Sequence, residues 1–230
     1  MSQLEPDGGH NPVSGWRTRL RLPNRKARIP LANHHLKVTT SRGHVYLLDQ
    51  FVRRAPSSIK NALISILSEF VGTFMYMITG LGGTSAAVNL TANDSSHALR
   101  YLFVSLAWGM ATIANAWLFY RISGGLFNPA VTFAMVMIRA LDPLQGLILV
   151  VAQIVACIAA AGVMIRLVPI ETVTGTTLSD QTTVSQGLFI EMFATAQVVF
   201  AVFMLATEKH KATYIAPVGI GIAVFASILW

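Results

Sequence analysis

Charge is scarce in this sequence: only 12% of its 230 residues are Asp, Glu, Lys or Arg, while 53% are apolar. Soluble domains carry about a quarter of their residues charged, so a water-soluble globular fold is excluded. Cysteine is almost absent. The single Cys157 stands inside an apolar run, where it closes no internal disulfide and reads as a small core residue. Histidine is missing from every apolar run, because His10, His34, His35, His44, His97 and His210 all fall in polar segments. No metal cluster or histidine base is therefore placed at membrane depth, no metal, cofactor or catalytic residue is assigned, and an enzyme is not expected. No signal-peptide leader is expected either. The first 58 residues contain no apolar run of the signal-peptide kind, so the first long apolar segment must itself direct insertion.

What the chain does have is long apolar runs, each near the roughly 20 residues that cross a hydrocarbon core. Full spans are expected at about 59–83, 101–120, 144–168, 186–206 and 213–230. Together they make residues 58–230 one transmembrane domain of an all-α membrane protein. Residues 1–57, rich in Pro, Gly, Asn and Arg, read as a disordered basic tail. The net charge of +7 does not point to nucleic acid, since eleven of the seventeen Lys and Arg lie between Arg17 and Lys60, beside the first span. Such a flank is the positive-inside signal: it puts the N-terminus in the cytosol, with the lipid bilayer as partner. The plasma membrane is the expected location, although the flank itself does not select it. The polar segment from Thr84 to Leu99 is then an outer loop, and its sequons make Asn89 and Asn93 glycosylation candidates.

One stretch breaks the pattern. Ser123-Gly124-Gly125-Leu126-Phe127-Asn128-Pro129-Ala130-Val131-Thr132 places helix-ending residues between two apolar runs, and the apolar segment after it, 128–138, is too short to span. Irregular backbone at membrane depth is tolerated only where protein buries it or where it lines a wet cavity. Asn128 is a good helix N-cap and Pro129 suits the first helical position, so a re-entrant half-helix starting there aims its positive dipole end at the membrane interior. That end, with the Asn amide as donor, favours a water or hydroxyl oxygen and disfavours cations.

Glu69 and Glu191 each precede a Thr by four positions and each sit in the first half of a span, three spans apart. This spacing is that of an inverted repeat. Two intramembrane carboxylates also fit a proton relay, which remains open on residue type alone.

The stretch resembles the first pore loop of the aquaporin, or major intrinsic protein, superfamily, whose first half reads approximately E-x-x-G-T and later H-x-S-G-x-x-x-N-P-A-V-T. Here those motifs are Glu69 to Thr73 and Arg121 to Thr132, with Arg121 where the family has His. Ala152-Gln153 and the run Ala216-Pro217-Val218-Gly219-Ile220-Gly221 extend the likeness, the latter to fungal members. The resemblance implies an aquaporin-like inverted-repeat bundle that passes water, and small neutral solutes such as glycerol, as a homotetramer when intact. It implies that Asn128, Pro129 and Ala130 line the pore and that Glu69, Gln153 and Glu191 support the pore loops. It also implies that Trp108, or else a packing Trp at that position, and Ile228 belong to the selectivity filter. A complete member carries a second Asn-Pro-Ala loop, a filter Arg and a sixth span. The spacing of the first repeat, carried from Glu191, puts that second Asn about 20 residues beyond Trp230. The expectation is therefore a C-terminally truncated chain, truncated in the fifth span, whose alternative role is as a non-conducting protein that is degenerate or modulates intact relatives.

Overall fold

The structure is a computed structural model that describes residues 57–93, 98–168, 177–179, 181–208 and 212–229. Apart from Ser57, the expected basic tail lies outside the described residues. Among the described residues six α-helices follow in order: α1 Ser57–Leu90, α2 Ala98–Phe119, α3 Pro129–Met137, α4 Pro143–Leu167, α5 Val184–Val202 and α6 Ala216–Ile228. A π-helical turn, Phe203–Thr207, extends α5, and a 3-10 turn, Thr213–Ile215, leads into α6. Among the described residues there is no strand, and four helices are long and apolar enough to cross a membrane. The chain is an all-α integral membrane protein.

The packing is inverted relative to a soluble bundle. Buried side chains include Ser65, Ser68, Glu69, Thr73, Ser105, Thr112, Asn115, Thr132 and Gln153, whereas Leu67, Leu118, Leu147, Ile158, Ile165 and Leu188 are exposed. Lipid tails are as apolar as Leu, so nothing drives large aliphatics inward, and helices associate through small residues and hydrogen-bonding groups. α1 packs against α2 and α4, α2 also against α6, and the short α3 lies against α4 and α5. Val131 and Met135 of α3 form a small apolar core with Val202 of α5, and Ile220 of α6 packs against it.

Two boundaries depart from the sequence reading. α1 does not stop near residue 83 but continues to Leu90, so Thr84 to Leu90 is helix rather than outer loop. The polar residues there are absorbed: Thr84 Oγ1 donates to the Gly80 carbonyl at 2.9 Å, and Ser85 and Ala87 are buried. Hydroxyls that return to the preceding turn make a polar-looking sequence compatible with helix. At its end, Thr91 Oγ1 donates to the Ala87 carbonyl, and Arg100 of α2 reaches both the Thr91 hydroxyl and its carbonyl. The second departure is at α6, whose regular part begins at Ala216 because the three residues before it wind as a 3-10 turn.

Candidate functional site

The break between α2 and α3 is built from backbone that only certain residues accept. Gly124 and Gly125 have φ of 102° and 61°, in the left-handed region where a Cβ is penalised. Phe127 follows with φ 49°, unusual for a bulky residue, and Asn128 then returns to extended backbone as the N-cap of α3. The Gly124 N–H still reaches the Tyr120 carbonyl at 3.1 Å, but the turn leaves the N–H groups of Leu126 and Phe127 without helical partners, and a lipid surrounding offers none.

Glu69 supplies them. Its Oε1 accepts from the Ser123 hydroxyl at 2.6 Å and the Leu126 N–H at 3.1 Å, and its Oε2 accepts from the Phe127 N–H at 2.9 Å and Gln153 Nε2 at 2.9 Å. Four donors on two oxygens are the full complement of a carboxylate. Ser123 Oγ in turn accepts from Ser68 Oγ at 3.1 Å and from the Gly125 N–H at 3.3 Å. On the other side, Gln153 Nε2 gives its second hydrogen to Thr132 Oγ1 at 2.9 Å, and Thr132 Oγ1 lies 2.9 Å from the Asn128 carbonyl oxygen. The single hydroxyl hydrogen of Thr132 faces two acceptors, that carbonyl and Gln153 Oε1 at 3.2 Å, and the network runs from Asn128 through Thr132 and Gln153 to Glu69. Glu69, Gln153 and Thr132 are all fully buried. Partly satisfied polar networks in low dielectric are costly, and here each buried side chain has at least one partner.

Asn128 is exposed at the head of α3. Its Oδ1 accepts from the Ala130 N–H at 2.8 Å, which leaves the two Nδ2 hydrogens to donate elsewhere. With Pro129 at the first helical position, the end of α3 presents an N–H-rich, partially positive surface. Thus Glu69 and Gln153 are brought to the loop that Asn128, Pro129 and Ala130 complete.

The other candidates lie apart from this network. Trp108 is half-buried on α2, its Nε1 donating to Thr84 Oγ1 at 3.0 Å and its ring meeting Tyr76 edge-on at 5.2 Å. Tyr76 stacks on Phe127 at 6.4 Å, and Phe119 meets Phe127 edge-on at 5.9 Å, so an aromatic column joins Trp108 to the loop. Ile228 is the last residue of α6, half-buried. Glu191 is exposed on α5, away from the Glu69 network. Asn89 is exposed in the last turn of α1 and Asn93 in the turn beyond it, with residues 94–97 outside the described set.

Sequence reasoning missed Ser68 and Tyr76, and it singled out the stretch from Ser123 to Phe127 without foreseeing that Ser123 and Phe127 bond to Glu69. One signal was present: Gly72, Tyr76, Gly80 and Thr84 recur every four positions and so share one face of α1, the face the aromatic column uses.

The profile of the family described as "Major intrinsic protein" matches residues 57–230. The chain is 46% identical over 177 residues to Aquaporin-7 of Botryotinia fuckeliana, an alignment covering 74% of this chain and 39% of that protein. It is 42% identical over 171 residues to Aquaporin-1 of Gibberella zeae, covering 73% and 54%, and 42% identical over 177 residues to Aquaporin-2 of Botryotinia fuckeliana, covering 74% and 47%. The chain thus spans 39% to 54% of the length of these relatives.

Proposed function

Because the chain belongs to the major intrinsic protein family, whose members are channels rather than enzymes, we propose that it contributes the Asn128 half of a passive pore for water and small neutral solutes such as glycerol. The observation that carries this reading is the head of α3: an exposed Asn N-cap whose loop is held by a buried carboxylate rather than by water or lipid. Donors that are fixed before a solute arrives donate to its oxygen without reorganisation, and the positive end of the half-helix opposes cations.

In this reading Asn128, Pro129 and Ala130 line the pore, Glu69 and Gln153 hold its loop, and Glu191 supports a corresponding loop on the far side. Trp108 and Ile228 form part of the filter. An apolar Ile at the fifth-span position beside a Trp makes a less polar constriction, which favours glycerol-sized solutes as well as water. The pore belongs to a homotetramer in the plasma membrane, with the N-terminus cytosolic, and the outer turn bearing Asn89 and Asn93 is glycosylated.

The test is stopped-flow osmotic shrinkage of proteoliposomes containing the chain, with water and glycerol permeability measured in parallel. Permeability well above that of empty vesicles, with low activation energy and no proton flux, is the expected result. Shrinkage equal to empty vesicles would instead support a non-conducting protein, and flux that requires a proton gradient would restore the relay through Glu69 and Glu191.

A further inference from the structure

The indole of Trp108 lies directly over the backbone of Gly80. A Cβ placed on Gly80 would stand 2.5 Å from both Cε3 and Cζ3 of Trp108 and 2.7 Å from its Cδ2. Carbon atoms rest about 3.5–4.0 Å apart, so any side chain at position 80 would push the ring away by about an ångström. The ring is fixed in the other directions: Tyr76, one turn earlier on the same face of α1, meets it edge-on, and Thr84, one turn later, accepts its Nε1–H. Retreat into α1 is blocked by backbone, leaving displacement away from α1 as the remaining direction. Gly72 repeats the device two turns earlier, where its absent Cβ makes room for the Phe127 ring.

We propose that Gly80 is a specificity-determining residue: by recessing the Trp108 indole into α1, it sets the clearance at that level of the pore and thereby decides whether a small polyol passes along with water. This rests on the channel reading given above. Gly80 touches no solute itself and acts through the position of Trp108.

The experiment compares the wild-type chain with Gly80→Ala, with Gly80→Ala combined with Trp108→Leu, and with Gly162→Ala, a glycine that has open space around it. Glycerol and water permeability are measured in proteoliposomes. In parallel, acrylamide quenching of Trp108 is measured after Trp16, Trp117 and Trp230 are replaced by Phe. Gly80→Ala should lower the glycerol-to-water ratio about ten-fold or more, the effect one methylene has in a fitted site. The smaller Leu at position 108 should restore the ratio, and Gly162→Ala should leave it unchanged. A ratio that holds in a conducting Gly80→Ala protein overturns the inference, as does a loss that Trp108→Leu does not repair. If the wild type conducts nothing, the channel reading falls while the seat is decided by fluorescence: quenching that rises in Gly80→Ala supports it, because a ring moved out of a packed contact becomes accessible, and unchanged quenching overturns it.

Discussion

Phe127 donates its backbone N–H to Glu69 Oε2 at 2.9 Å across 58 positions of sequence, and this bond fixes a bulky residue in the left-handed region at the mouth of a half-helix. The left-handed conformation costs about 1–2 kcal/mol for a residue with a Cβ. Burial of the Phe127 ring against α1 and the carboxylate bond offset that strain, so the loop and α1 stabilise each other.

Replacing Glu69 with Gln keeps the size but turns one of its oxygens into a donor facing donors. At least one loop N–H is then left unsatisfied in a dry site, at a cost of about 3 kcal/mol or more. Glu69→Gln should therefore lower thermal stability in detergent and reduce water permeability together. A stable, fully conducting Glu69→Gln protein would show that the loop does not depend on the carboxylate.

Gln153→Leu removes the group that bridges Glu69 and Thr132. Both Nε2 hydrogen bonds are lost together with the Thr132 hydroxyl contact to Oε1, and Glu69 Oε2 keeps only the Phe127 N–H. A destabilisation of about 2–4 kcal/mol is expected, with a smaller further loss when Thr132→Val is added, because the partner of Thr132 is already gone. Unfolding measured on the two single variants and the double variant checks this: strict additivity would mean that the three residues do not act as a network.

How much of this could be read beforehand follows from what each residue depends on. The break at Ser123 to Asn128 was legible because Gly, Gly and Asn-Pro have strong local preferences, and the half-helix after it was legible from its length alone. The end of α1 was not. Thr84, Ser85 and Asn89 look like loop residues, and only the return of the Thr84 hydroxyl to the Gly80 carbonyl and the burial of Ser85 make helix the better state. Glu69 was identifiable as an intramembrane carboxylate, but its partners Ser123 and Phe127 lie more than fifty positions away and no local rule pairs them. The four-residue repeat of Gly72, Tyr76, Gly80 and Thr84 was visible as a pattern, yet its meaning required knowing that Phe127 and Trp108 come to rest there.

Gly125→Ala tests the loop conformation itself. Gly125 has φ 61°, and a Cβ there would lie 3.3 Å from the Tyr120 nitrogen and 3.4 Å from the Ala116 carbonyl oxygen, which are backbone atoms that yield little. Strain and crowding together should cost about 1–3 kcal/mol. Gly124→Ala, whose nearest neighbours are the flexible tip of Leu126 at 3.8 Å, pays mainly for its φ of 102°. Because that conformation is harder still for a residue with a Cβ, both variants should be less stable than the wild type, and trimming a neighbouring side chain should rescue neither, since Gly125 meets only backbone and Gly124 meets nothing closer than 3.8 Å. Thermal unfolding that is unaffected by either change would show that the loop has another conformation of equal energy.

Asn128 separates capping from selectivity. Asp caps a helix about as well as Asn, so Asn128→Asp should retain the bond from the Ala130 N–H and leave stability within about 0.5 kcal/mol, whereas Asn128→Ala should lose about 1 kcal/mol. The two substitutions have opposite electrostatic consequences. Asp removes the Nδ2 donors and sets a negative charge at the head of α3, cancelling the partial positive end of the helix dipole that opposes cations. Ala removes the donors without adding charge. Cation leak measured across proteoliposomes should therefore rise in Asn128→Asp, although it is the more stable of the two, and stay near the wild-type value in Asn128→Ala. If the leak instead follows stability, rising only in the variant that folds less well, then the head of α3 serves to hold the loop and the barrier to cations lies elsewhere.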